Sequence, residues 1–199
     1  APLLIGGRAY VGMENGRVAG LNVADGQPVW EQAVAVPSGR TELERLTDID
    51  ADLLDGPECI IAASFGGEVV CLEAESGQAL WRRSIRSYSG MAASEDKVFI
   101  TDESGTVWGL DLRTGAAAWK QEALLHRRLS APGFVDGHVV VGDLEGYLHW
   151  LDPSTGAVVA RRRVGSDPIT AAPVAGQDRF YVMNTLGRIA AIQTKKPSP

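Results

Sequence analysis

No uninterrupted run of about 18 apolar residues occurs in the 199-residue sequence, so no segment reads as a transmembrane helix. A basic excess is also missing. The 19 lysines and arginines are outnumbered by 25 aspartates and glutamates, scattered to a net charge of -6, which removes the electrostatic footprint of a nucleic-acid binder. There is no G-x-S-x-G elbow, no H-E-x-x-H pair and no phosphate-cradling loop. The three histidines, His126, His138 and His149, fall in LLHRRLSAP, DGHVVVG and YLHWLD without metal-ligand spacing and read as structural. The expectation is no catalytic, cofactor or metal site. The opening APLLIGG has no initiating Met, basic n-region or cleavage site, and the chain therefore reads as a fragment.

Cysteine is scarce too. Cys59 and Cys71 lie on PECIIAAS and EVVCLEA, two runs expected to form a hairpin around Phe65, Gly66 and Gly67. With Gly66 central they sit diagonally on one face, so a disulfide is geometrically open. Two buried small hydrophobes are the favoured reading.

What is abundant is turn punctuation. The 23 glycines and 10 prolines separate short Val/Ile/Leu-rich runs, a pattern for many short strands and an all-β fold. Self-comparison finds a unit anchored at Leu21, Leu72, Leu110, Leu151 and Ile192, with intervals of 51, 38, 41 and 41 residues. Five residues before each anchor stands Gly16, Gly67, Gly105, Gly146 or Gly187, and five after stands Gly26, Gly77, Gly115 or Gly156. Nine residues after the anchor come Trp30, Trp81 and Trp119, with Ala160 the one departure.

In SGTVWGLDLRTGAAAW the first glycine closes a hairpin, V-x-G-L is a half-buried strand, D-x-x-T-G is a second turn, and Trp119 opens another strand. Asp111 and Asp152 belong to that turn and serve it rather than catalysis. Upstream strands such as KVFITD and HVVVGD, with starts near Pro2, Pro132 and Pro173, complete four strands per unit. Such a unit cannot cover both its own faces and must stack on neighbours, which is the logic of a β-propeller blade. Trp30, Trp81 and Trp119 are then blade-docking wedges, and Trp108 and Trp150, off that phase, strand core. The expected architecture is all-β: a partial β-propeller over 1–194, built of four-stranded antiparallel blades at about 1–36, 47–86, 88–124, 129–165 and 170–193, with a disordered tail at 195–199. The last unit lacks its outer strand. Arg161, Arg162 and Arg163 read as charge protecting an outer strand.

The repeat is interrupted once. The first interval carries a surplus in EQAVAVPSGRTELERLTDID, and insertions in repeat folds map to loops on one face. Thr41 with Glu44 suggests a capped helical turn. The segment from Pro37 to Asp52 reads as a partner-binding loop.

RTELERLTDID, GEVVCLEAESGQALW and above all ALLHRRLSAPGFVDGHVVVGDLEGYLHWLDPSTGAVVARRRV resemble the C-terminal part of the BamB family of PQQ-like repeat propellers. That resemblance implies an eight-bladed propeller lipoprotein at the periplasmic face of the Gram-negative outer membrane, of which this chain supplies about five blades. It implies a non-enzymatic scaffold of the outer-membrane β-barrel assembly (BAM) complex that binds the POTRA domains of BamA. Unfolded outer-membrane proteins are a further implied partner, and the membrane is reached only through an N-terminal lipid anchor. Family contacts with BamA use a Leu-x-Leu-Arg element, expected just upstream of Ala1, and an acidic D-x-D after a Thr-Glu-x-x-Arg-Leu stretch. The second matches Thr41, Glu42, Arg45, Leu46, Asp48 and Asp50.

Two alternatives remain. A propeller binding sugar or peptide in its channel is one. The other is a PQQ-dependent dehydrogenase, which needs a Ca²⁺ site and adjacent cysteines over the quinone, whereas eleven residues separate Cys59 from Cys71.

Overall fold

A computed structural model describes residues 2–13, 16–34, 53–56, 59–64, 67–87 and 89–193. Among these, every regular element is a strand, and neighbouring strands in each sheet are antiparallel and consecutive in sequence. The chain divides into two compact units, residues 1–90 with 111–116, and residues 91–110 with 117–199.

The first unit holds two four-stranded sheets, β1 (Leu3–Ile5), β2 (Arg8–Gly12), β3 (Arg17–Asn22), β4 (Pro28–Ala33) and β5 (Leu54–Asp55), β6 (Cys59–Ala63), β7 (Glu68–Glu73), β8 (Ala79–Ser84). Their facing apolar sides share a core that includes Tyr10, Val18, Ile60 and Leu72. The second unit holds β9 (Met91–Ala93), β10 (Lys97–Thr101), β11 (Val107–Asp111) and β12 (Ala117–Gln121), of which Asp111 is counted with the first unit. It also holds β13 (Gly133–Val135), β14 (His138–Gly142), β15 (Tyr147–Leu151) and β16 (Val158–Arg163), and the three strands β17 (Val174–Ala175), β18 (Phe180–Met183) and β19 (Ile189–Ile192). Phe99, Val107, Val139 and Leu151 form one core of this unit, and Val140, Leu148, Ile169 and Phe180 another.

The central strands β6, β10 and β14 are buried almost throughout, as expected of apolar runs covered on both faces. The glycine turns form as read. In each D-x-x-T-G type turn the glycine N–H donates to the carbonyl four residues back, at 2.8 Å for Gly77 to Glu73, Gly115 to Asp111 and Gly156 to Asp152. These glycines have φ near +70°, the left-handed region that a side chain strains. One feature of the repeat is absent from the periodicity. Just before the anchor, every pairing of a third with a fourth strand slips by a residue, between Gly20 and Leu21, Cys71 and Leu72, Gly109 and Leu110, and Trp150 and Leu151. A bulge there bends the outer strand and re-aims its side chains. Val29, Leu80, Ala118 and Val159 are the extra residues, and they are exposed.

The cysteine expectation is corrected. Cys59 and Cys71 are disulfide-bonded, with Cα atoms 5.6 Å apart. The β6–β7 register pairs Ile61 with Cys71 and Cys59 with Glu73, so the two cysteines are diagonal neighbours on one face. That separation lies in the ordinary disulfide range, and buried thiols this close form the bond in an oxidising compartment.

Candidate functional site

The residues singled out for partner binding, Thr41, Glu42, Arg45, Leu46, Asp48 and Asp50, lie outside the described residues, as does the tail. The stem of that insertion is described. β4 ends, and β5 begins beyond the insertion, at the end of the sheets that carries the turns between second and third strands. Val34 and Leu53 flank the insertion, and both are buried in the first unit's core. The Val34 N–H donates to Gly16 O at 2.9 Å. Arg82 of β8 braces the departing strand, its guanidinium donating to Val34 O at 2.8 Å, to Ala33 O at 3.1 Å and to the Glu68 carboxylate at 3.0 Å. Charge-assisted bonds of this kind hold a stem more firmly than neutral ones. The loop therefore springs from a fixed base.

The tryptophans at the in-phase position are seated alike. Trp30 Nε1 donates to Ala74 O at 2.9 Å, Trp81 Nε1 to Leu112 O at 3.0 Å and Trp119 Nε1 to Pro153 O at 2.8 Å. Each indole lies flat on the turn glycine of the following repeat: Trp30 on Gly77, Trp81 on Gly115, Trp119 on Gly156. A Cβ added at Gly77 would come within 2.5 Å of the Trp30 ring, and one at Gly115 within 2.6 Å of Trp81. Within the second unit Trp119 is also covered from behind by Gly109, whose place a methyl group would contest. Glycine is required here for close approach as well as for backbone freedom.

Off that phase, Trp108 Nε1 donates to Asp102 Oδ2 at 2.9 Å, and Trp150 packs edge-on against Phe180 with ring centroids 6.0 Å apart. His126 is an exposed residue with φ of 61°, and His138 Nδ1 lies 2.9 Å from Asp136 O. His149 is buried, its Nε2 2.8 Å from Asp143 Oδ2.

Asp102 and Asp143 were missed by sequence reasoning. Both stand eight residues before an anchor, where Ser64 and Asn184 also fall. In each case the side-chain oxygen accepts backbone N–H groups of the turn that follows: Ser104 and Thr106 on Asp102, Glu145 and Tyr147 on Asp143, Leu186 and Arg188 on Asn184, Glu68 on Ser64. The signal was in the sequence, as a polar residue closing the second strand of four of the five repeats, with Met13 the exception. For Asp143 burial pushes the carboxyl up, but His149, the Tyr147 N–H, Arg127 and the Glu145 N–H together outweigh it and hold the group below its ordinary 3.8. Asp102 follows the same balance, with burial opposed by Ser104, Trp108 and two backbone N–H groups. Asp111 and Asp152 are lowered by their turns, the first chiefly by the Thr114 hydroxyl and the second by the Thr155 N–H. These carboxylates are committed to structure. Among the described residues no group of three or more His, Cys, Asp or Glu side chains could hold a metal ion.

A model of the family described as outer membrane protein assembly factor BamB matches residues 1–121. The chain belongs to the BamB family. It is 44% identical over 195 residues to the BamB of Xanthomonas campestris pv. campestris, covering 97% of this chain and 48% of that protein. The BamB proteins of Pseudomonas aeruginosa and Escherichia coli are 40% and 33% identical, each over 96% of this chain and 50% and 49% of their own length. The chain thus spans about half the length of the curated relatives it matches. The crystal structure of BamB from Moraxella catarrhalis shares its fold, with a TM-score of 0.87 at 24% identity over 97% of this chain and 58% of that one. The four-stranded antiparallel sheets described above are the blades of a BamB β-propeller.

Proposed function

We propose that this chain is part of a non-enzymatic scaffold subunit of the machinery that assembles β-barrel proteins in the outer membrane, working at the membrane's periplasmic face as a lipoprotein. The observation that carries this reading is family membership: its curated relatives, 33% and 44% identical in Escherichia coli and Xanthomonas campestris, are named outer membrane protein assembly factors. The buried Cys59–Cys71 disulfide accords with an oxidising, extracytoplasmic compartment. The insertion at 37–52 is the attachment to the POTRA domains of BamA. Asp48 and Asp50 offer carboxylates to cations or backbone N–H groups there, Thr41, Glu42, Arg45 and Leu46 belong to the same partner contact, and the stem braced by Arg82 limits the ordering that binding must impose.

The test is co-purification of BamA with the full-length protein carrying Asp48→Ala and Asp50→Ala. Capture is lost while the thermal unfolding profile stays that of the parent. Undiminished capture removes the insertion as the attachment site.

A further inference from the structure

The repeat places a diagonal pair of side chains across the third and fourth strands, four residues before the anchor and ten after it. In the first sheet this pair is the ion pair Arg17–Glu31, and in the second Arg82 donates to Glu68 at 3.0 Å. In the third the positions hold Thr106 and Lys120, and the lysine pairs with Glu122 at 2.8 Å. Each time the exposed cation has a carboxylate.

The fourth sheet departs from the rule. Its pair is Tyr147 and Arg161, with Arg163 directly opposite Tyr147 in register. The guanidinium carbons of Arg161 and Arg163 lie 5.6 and 5.4 Å from the Tyr147 ring centroid, and that of Arg127 lies 5.9 Å from it. Arg127 is neutralised by Asp143 at 2.7 Å and Glu145 at 2.6 Å. Arg163 Nε donates to Gly165 O at 3.0 Å, a neutral acceptor. Among the described residues neither Arg161 nor Arg163 enters an ion pair, and all of β16 is exposed.

We propose that Arg161 and Arg163, held against Tyr147, bind an extended acidic peptide segment of a partner protein that carries carboxylates at alternate residues. Same-face side chains of an extended strand recur every ~6.8 Å, so an extended ligand with carboxylates at alternate residues presents them all from one side, as β16 presents Arg161 and Arg163. The planar guanidinium takes a carboxylate side-on with two hydrogen bonds, a geometry lysine cannot offer. The cation–π contact with the phenol ring restrains both cations before the ligand arrives, which reduces the ordering cost of binding. Edge protection alone would not require the charges of alternate residues to fold onto one ring. Arg162, opposite Leu148, belongs to the other face and supplies a control in the same strand.

The experiment uses the full-length protein and a fluorescein-labelled peptide of alternating threonine and aspartate, with an otherwise identical asparagine peptide, read by fluorescence anisotropy. The aspartate peptide binds about tenfold or more tightly at low salt, the effect of losing one or two charge-assisted contacts. That preference weakens with added salt, is lost in Arg161→Gln with Arg163→Gln, and survives in Arg162→Gln. Each single replacement on this exposed strand is measured as well, and thermal melts check folding. Equal binding of the two peptides overturns the proposal, as does an equal loss in Arg162→Gln. Capture of phosphatidylglycerol vesicles through Arg161 and Arg163 without capture of the aspartate peptide overturns it too, in favour of a membrane surface.

Discussion

Gly109→Ala should destabilise the protein, and the cost should vanish when Trp119 is also removed. Gly109 is absent from the residues with positive φ, so an alanine there meets no backbone strain. On chain entropy alone it would stabilise by roughly 0.4–1 kcal/mol. Its Cβ, however, would sit against Cε2, Cζ2 and Nε1 of Trp119, a ring 8% exposed and trapped on its other side by Gly156. The indole can move only by leaving Gly156 and breaking its bond to Pro153 O. Overpacking costs about 1–3 kcal/mol and the lost hydrogen bond about 1 kcal/mol, so the net penalty is on the order of 2 kcal/mol. Trp119→Ala by itself should cost about 3–5 kcal/mol through the cavity it leaves. In that background Gly109→Ala meets no ring and should be neutral or mildly stabilising, giving a coupling of about 2 kcal/mol between the two sites. Urea denaturation followed by far-ultraviolet circular dichroism, which does not depend on the tryptophan, supplies all four corners of the cycle. An alanine at 109 that costs the same with and without Trp119 would refute the packing argument.

Replacing both cysteines by serine should lower stability by about 3 kcal/mol, the chain-entropy value for a crosslink between residues 12 apart. An unchanged urea midpoint after the replacement, together with two titratable thiols in the native parent, would contradict the bridge. Acid should weaken the fold through Asp143. Its folded value lies below the ordinary 3.8, so its contribution is present above about pH 4 and is lost as pH falls through the folded value. Asp143→Asn should be less stable at neutral pH yet show a shallower loss of urea midpoint across that acid window. Parallel profiles for parent and variant would rule the group out.

The cysteines show where pattern reasoning stops. Their diagonal placement was legible once Gly66 was taken as the turn centre, but a diagonal pair on a strand face can be thiol or disulfide, and only the Cα separation and shared burial decide. The three consecutive arginines show the same limit. Read along the chain they are uniform edge charges, while the β15–β16 register sends Arg161 and Arg163 to Tyr147 and Arg162 to the other face. The insertion was legible because every other interval of the repeat is shorter. Its fixed base was not, since Arg82 reaches Val34 across 48 positions.

By itself the sequence determined the strand repeat, its phase, its turns and the place where it is extended, because these follow from local chemistry: glycine tolerates positive φ, Asp caps its own turn, and apolar residues alternate on a pleat. Tertiary structure alone decided which cysteine chemistry prevails, which glycines must be small because an indole lies on them, where the bulges fall, and which cations keep a carboxylate. Those outcomes depend on what a strand meets across the sheet or on the next one, and that distance is not written in any interval along the chain.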